Sequence, residues 1–110
     1  MSKPHKKLIA WRKIYDLTKK FPREEVYGLS SQMRRAAISG PSNIADGAAG
    51  RSSVQFRNYL SVALGSLNEL ATQLEIALRI GYLDAKTFGD TESLVDECWA
   101  VTYGLRKSLR

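Results

Sequence analysis

Nine cations have the chemistry to hold phosphate: Arg12, Lys13, Lys19, Lys20, Arg23, Arg34, Arg35, Arg51 and Arg57. All lie in the first 57 residues, which carry 12 basic and 4 acidic side chains, against 5 and 7 in the remainder. The net charge of +6 is therefore a strongly basic half joined to a slightly acidic one. A field of that sign draws in polyanions and raises encounter rates with them. Guanidinium forks suit two-point contact with phosphate oxygens. Solubility alone would also use such charge, and each cation taken singly reads as a solvated side chain.

Other chemistry finds little support. The single histidine, His5, sits in a short basic stretch before the first apolar pattern, without the convergent groups a general base requires. Cys98 falls on an apolar helical face and reads as a small core residue. The stretch "GAAGRS" has two glycines, but no Lys-Ser/Thr pair follows and no strand precedes it, so it is not a phosphate-binding loop. Glu69 and Glu75 lack the Glu-x-x-His companions of a buried di-metal site. The sequence thus predicts a non-enzymatic protein with no metal and no cofactor.

Four helices must carry these cations. At 110 residues, 44% of them hydrophobic and 25% charged, the chain fits one soluble domain with a real core. One cysteine excludes an internal disulfide framework and suits a reducing cytoplasm. The opening "MSKPHKKLIAW" lacks the sustained apolar run of a secretory signal or membrane anchor. Residues 1–6 read as a flexible basic arm and 7–110 as the bundle. A first helix is expected over about 7–21, with Leu8, Trp11, Tyr15 and Thr18 on one stripe, widened by Ile14, Leu17 and Phe21. Pro22 stops it. A second begins near Glu24 or Tyr27 and runs to about Ala49. A third runs from Ser53, as N-cap, to about Ile80, with Gly81 as its stop. A fourth starts between Asp84 and Thr91 and keeps Leu94, Cys98, Val101, Leu105 and Leu109 on one face. No run alternates with period two. The expected fold is all-α, an antiparallel up-down-up-down four-helix bundle.

Gly40-Pro41 interrupts the second helix. Pro41 has no N–H for the carbonyl of Ala37. The chain either breaks there and restarts with Pro41 at a first helical position, or bends as one helix. The apolar phase Met33, Ala37, Gly40, Ile44, Ala48 survives the proline, which favours one helix kinked at Gly40-Pro41. A polar stripe, Gln32, Arg35, Ser39, Asn43 and Asp46, flanks that phase and reads either as solvated surface or as a subunit seam. Trp99 and Tyr103, four apart on the shoulder of the last helix, suit the core edge, an oligomer interface or a stacking surface for bases. Gln32, Ser39, Asn43, Trp99 and Tyr103 are accordingly the candidate oligomer contacts. Gly65, mid-way along the third helix, suggests close approach of another helix, within the chain or from another subunit.

"FPREEVYGLSSQMRRAAISGPSNIADG", Phe21 to Gly47, and "ALGSLNELATQLEIALRIGYL", Ala63 to Leu83, carry a family resemblance. The chain resembles the four-helix-bundle proteins encoded by intervening sequences of bacterial 23S ribosomal RNA genes. It is also similar to a related bundle, the accessory variability determinant of diversity-generating retroelements. Asp46, where that family commonly has Glu, and Gly40, where an apolar residue is frequent, are minor departures. The resemblance implies a ring of bundles, five in number, with a basic surface and no catalytic residues. The related bundle also binds nucleic acid and partners a reverse transcriptase. Charge and resemblance together predict an oligomeric RNA- or DNA-binding protein. The alternative is an interaction scaffold, such as an accessory subunit of a reverse transcriptase; a third reading is a structural bundle whose charge serves solubility.

Overall fold

The computed structural model describes residues 4–49 and 52–109. They form four helices: α1 (Pro4–Thr18), α2 (Leu29–Ala48), α3 (Ser53–Arg79) and α4 (Ala85–Ser108), with a 3-10 turn (Arg23–Tyr27) ahead of α2. Among the described residues there is no strand. Each helix packs on its neighbour in sequence, and α1 also packs on α4. α2 and α3 run in opposite senses: Ser39 meets Ser66, and Gly47 lies against Phe56 and Tyr59. Arg106 of α4 reaches Ser61 of α3. The four helices together form an all-α bundle.

The termini follow local chemistry. α1 starts with Pro4 in the first turn, where its missing N–H costs no helical bond, so residues 4–6 of the expected arm belong to the helix. It ends at Thr18, three residues short of Phe21. The chain tightens there: Lys20 N–H bonds the Leu17 carbonyl and Phe21 N–H bonds the Thr18 carbonyl. The α3 cap is Ser52, one residue before the expected Ser53. Its hydroxyl accepts from Gln55 N–H at 3.2 Å, and the Gln55 side chain accepts from Ser52 N–H at 3.3 Å, a complete capping box. Gly81, at φ +86°, closes α3, and the next N–H, that of Tyr82, reaches back to the Ala77 carbonyl at 2.9 Å. Asp84 caps α4 by accepting from Thr87 N–H at 2.7 Å.

α2 runs unbroken through Pro41. Of the two courses open at that residue, the chain takes the continuous one. Pro41 and Gly40 border an apolar cavity of only about 10 Å³, shared with Ala10, Leu70, Cys98 and Thr102.

The core joins Ala10, Ile14, Leu17 and Phe21 of the first segment to Met33, Ala36 and Ala37, to Leu67, Leu70, Leu74 and Ala77, and to Val95 and Cys98. Two expected faces are rotated. Leu8 is 54% exposed, and the buried line of α1 passes instead through Ala10 and Ile14. On α4 the fully buried line is Thr91, Val95, Cys98 and Thr102, with Leu94, Val101, Leu105 and Leu109 half-buried at its sides. Threonine is tolerated because its hydroxyl is satisfied inside its own helix. Thr91 donates to the Thr87 carbonyl and Thr102 to the Cys98 carbonyl, each at 2.7 Å.

Candidate nucleic-acid interface

Three of the nine cations, Lys19, Arg23 and Arg34, line one open hollow of about 370 Å³. It lies where α1 ends, the 3-10 turn passes and α2 begins. Its other walls are Tyr15, Thr18, Phe21, Pro22, Val26 and Ser30, and no carboxylate lines it. Lys19 follows the end of α1, Arg23 is in the 3-10 turn and Arg34 is in α2, so the fold brings them together.

Arg34 is held most firmly. Its Nε donates to Thr18 Oγ1 at 2.8 Å, and its guanidinium carbon stands 4.6 Å from the centre of the Tyr15 ring. Thr18, buried at the end of α1, can receive that bond because its own proton goes to the Ile14 carbonyl at 2.8 Å. Lys19 Nζ lies 5.0 Å from the same Tyr15 ring centre. Trp11 braces Tyr15 at 5.7 Å between ring centres. One aromatic ring therefore organises two cations without neutralising either. Among the described residues, the ion pairs to carboxylates involve Arg12, Arg79 and Lys86, and none involves these three cations.

The 3-10 turn that carries Arg23 is pinned from the far side. Tyr82, in the α3–α4 connection, donates from its hydroxyl to Glu25 Oε2 at 2.7 Å, while Glu25 Oε1 accepts from Leu29 N–H at 3.1 Å. The carboxylate thus caps α2 and ties it to the opposite connection. The Tyr82 hydroxyl first, and then Leu29 N–H, hold the Glu25 carboxyl below its ordinary range. The same bond to Glu25 pushes the Tyr82 hydroxyl up. Phe21 packs on Tyr82 with ring centres 5.1 Å apart, fixing the linker that forms the hollow's floor.

The other basic residues disperse. Arg12 Nε bonds the Asp16 carboxylate at 3.2 Å, both side chains exposed. Lys13 shares a shallow outward hollow on α1 with Leu8, Ile9, Arg12 and Asp16. Lys20 lies toward Asp84, whose carboxyl is held low by the Thr87 hydrogen bonds first and then by Lys86 and Lys20. Arg35 is exposed on the outer side of α2, roughly 100° around the helix from Arg34. Arg57, half-buried, is near the start of α3. The Tyr82–Glu25 bond sets the end of α3 beside the hollow, and 23 residues separate Arg57 from Ile80, so Arg57 is roughly 35 Å away along the bundle. Arg51 lies outside the described residues.

The candidate oligomer contacts also separate. Ser39 Oγ accepts from Ser66 Oγ at 2.8 Å, and Asn43 Nδ2 donates to the Ser39 carbonyl at 2.8 Å and to its Oγ at 3.0 Å. The Ser66–Ser39 bond joins α3 to α2 within one chain, while Asn43 bonds back along α2. Gln32 is exposed beside them. Trp99 and Tyr103 stack at 5.0 Å and 9°, with Trp99 half-buried against the core and Tyr103 exposed. Arg106 lies 5.5 Å from the Tyr103 ring centre and donates to Ser61 Oγ at 3.0 Å, joining α4 to α3. Gly65 is exposed, with no heavy atom within 4 Å of where its Cβ would stand. The close approach occurs at Gly47 instead.

Of the residues weighed for other chemistry, Cys98 is buried in the core and Glu75 is paired with Arg79. Among the described residues no group of histidine, cysteine and carboxylate side chains could hold a metal ion, and no helix is long and apolar enough to cross a membrane. Sequence reasoning did not single out Tyr15, Thr18, Glu25 or Tyr82 as positioning residues. Neither the Glu25 bond to Leu29 N–H nor the Tyr82 contact, 57 residues away, carried a signal in the sequence.

Comparison with known proteins agrees with the fold. No curated protein matches the chain. Among solved structures, a protein of unknown function from the S23 ribosomal protein family of Bacteroides thetaiotaomicron VPI-5482 superposes with a TM-score of 0.88 at 24% identity. The match covers 96% of this chain and 98% of that one. The family model for 23S rRNA-intervening sequence proteins matches residues 6–104. This chain therefore belongs to the 23S rRNA-intervening sequence protein family.

Proposed function

We propose that the protein is a non-enzymatic, phosphate-directed nucleic-acid-binding protein that works as an oligomer, a homopentamer in the arrangement its family resemblance implies. The observation that carries the reading is the hollow lined by Lys19, Arg23 and Arg34 without a carboxylate. Three cations, two of them oriented by an aromatic ring and one also by a threonine hydroxyl, offer a polyanion concentrated charge at little reorganisation cost. Self-association is supported by the large apolar side chains one chain leaves exposed, among them Leu8, Ile9, Val62, Ile76 and Ile80.

The test is affinity for single-stranded RNA and DNA against salt concentration, with assembly size read by light scattering in the same samples. Neutralising three phosphates on a single strand gives a log–log slope of about −2. Arg34→Glu is expected to weaken binding to all sequences alike, and more than Arg35→Glu. A flat salt response excludes phosphate-driven binding, and a monomer with no polyanion affinity leaves a structural bundle. The interaction-scaffold reading, with a reverse transcriptase as partner, rests on the resemblance alone.

A further inference from the structure

We propose that the hollow is a receptor for a phosphomonoester, the phosphate at the end of a nucleic acid strand; the strand as its source rests on the function proposed above. The hollow lies at one end of the bundle, lined by the α1 terminus, Phe21, Pro22 and the first turns of α2. Its charge fits a strand end. A phosphodiester inside a strand carries one negative charge, whereas a terminal phosphate carries about 1.5 to 2 near neutral pH and three acceptor oxygens. Three cations without a lining carboxylate match the second. Arg34 commits its Nε to Thr18, which leaves its two amino groups for a two-point contact. Lys19 supplies a compact charge beside it over Tyr15. Arg23, exposed on the pinned 3-10 turn, supplies the third. Tyr15 is occupied by Trp11, Lys19 and Arg34, so its ring orients the cations and is not the platform for a base.

The experiment compares one RNA decamer bearing a 5′-phosphate, a 3′-phosphate or hydroxyls at both ends, with adenosine monophosphate and inorganic phosphate as small probes. A terminal phosphate is expected to tighten binding about tenfold, the worth of one or two charge-assisted hydrogen bonds. Lowering the pH from about 7.5 to 5.5 should shrink that preference, because the second phosphate charge is lost with a pKa near 6 while lysine and arginine stay charged. Arg23→Gln and Lys19→Gln, both at exposed positions that leave the core intact, should each weaken phosphate-ended strands more than hydroxyl-ended ones, so that the preference falls. Arg34→Lys, which keeps the charge and loses the fork, should reduce it too. Equal affinity for phosphate-ended and hydroxyl-ended strands, with salt dependence intact, overturns the receptor and leaves general polyanion binding standing. Failure of every strand to bind, while monophosphate shifts the resonances of Tyr15 and Arg34, overturns the strand end as the ligand together with the proposed function.

Discussion

Adding one methyl group at two glycines should move stability in opposite directions. At Gly47 a Cβ would stand 2.7 Å from Phe56 Cδ1, 3.2 Å from Phe56 Cε1 and 2.9 Å from Tyr59 Cβ. Carbon atoms in good contact lie about 3.5–4.0 Å apart, so each neighbour would have to retreat by most of an ångström. The Phe56 ring can swing. Tyr59 Cβ moves only with the α3 backbone, and α2 cannot withdraw without opening the seam at Ser39 and Ser66. Overpacking of this kind costs about 1–3 kcal/mol. The helix-propensity gain from Gly to Ala is about 1 kcal/mol in a helix interior and smaller in the last turn, where Gly47 sits. Gly47→Ala should therefore lose about 1–2 kcal/mol. Gly65 is in the middle of α3, exposed, with nothing within 4 Å of the new methyl. Gly65→Ala should gain about 0.5–1 kcal/mol from propensity alone. The gap between the variants is about 1.5–3 kcal/mol, or roughly 6–12 °C in melting temperature for a chain of this size. Thermal and urea unfolding followed by helical circular dichroism, at one protein concentration, reads it directly. If Gly47→Ala melts at or above the parent, the close approach of α2 to α3 is not a packing constraint. A loss at Gly65 would refute the open face and set another helix, from a second copy, against it.

Three other outcomes follow from the geometry. Ser52→Ala removes the hydroxyl that accepts from Gln55 N–H and should cost about 1 kcal/mol, seen as a lower urea midpoint with an unchanged slope. Leu74→Ala, at a fully buried position, should cost about 2–5 kcal/mol in the same assay. The Glu25–Tyr82 bond should give a defined pH dependence. Because the native Glu25 carboxyl lies below its ordinary value near 4.5, its contribution is complete above that value and fades as pH falls through the lower native one. Because the native Tyr82 hydroxyl lies above its ordinary value near 10.0, its share is complete below 10.0 and fades as pH rises through the higher native one. Tyr82→Phe should therefore lose less stability than the parent between about pH 5 and pH 3, and equal slopes would refute the coupling.

The sequence made the helices legible because local chemistry specifies them: a Gly81 stop and long apolar periodicity through α3. It was less informative about which side of α1 and α4 faces inward. On α4 the leucines are the more hydrophobic candidates, yet Thr91 and Thr102 occupy the centre. Their hydroxyls bond within the helix and cost nothing to bury, and hydropathy cannot register that. Glycine misled for a related reason. Gly65 lies at the helix middle, where weak propensity asks for a reason, while Gly47 lies near a helix end, where glycine is unremarked. Only the distance to Phe56 and Tyr59 separates the two.

The basic half shows why charge counts overstate binding surfaces. Nine cations shared one sign and one half of the chain. Folding then sorted the described ones by what stood within reach. Arg12 met Asp16 one helical turn on, Lys20 was drawn toward Asp84, and Arg57 was carried toward the opposite end. Lys19, Arg23 and Arg34 were spared because the groups beside two of them are a ring and a hydroxyl rather than carboxylates. A cation near an acid has already exchanged part of its solvation for a partner, and a phosphate must compete with that partner. A cation over an aromatic face keeps its charge available and gives up part of its freedom. On the proposed function, binding therefore depends less on the net charge of +6 than on Tyr15, a residue with no charge at all. Tyr15→Leu should weaken nucleic acid binding while leaving net charge unchanged, and equal affinity in that variant would return the explanation to charge alone.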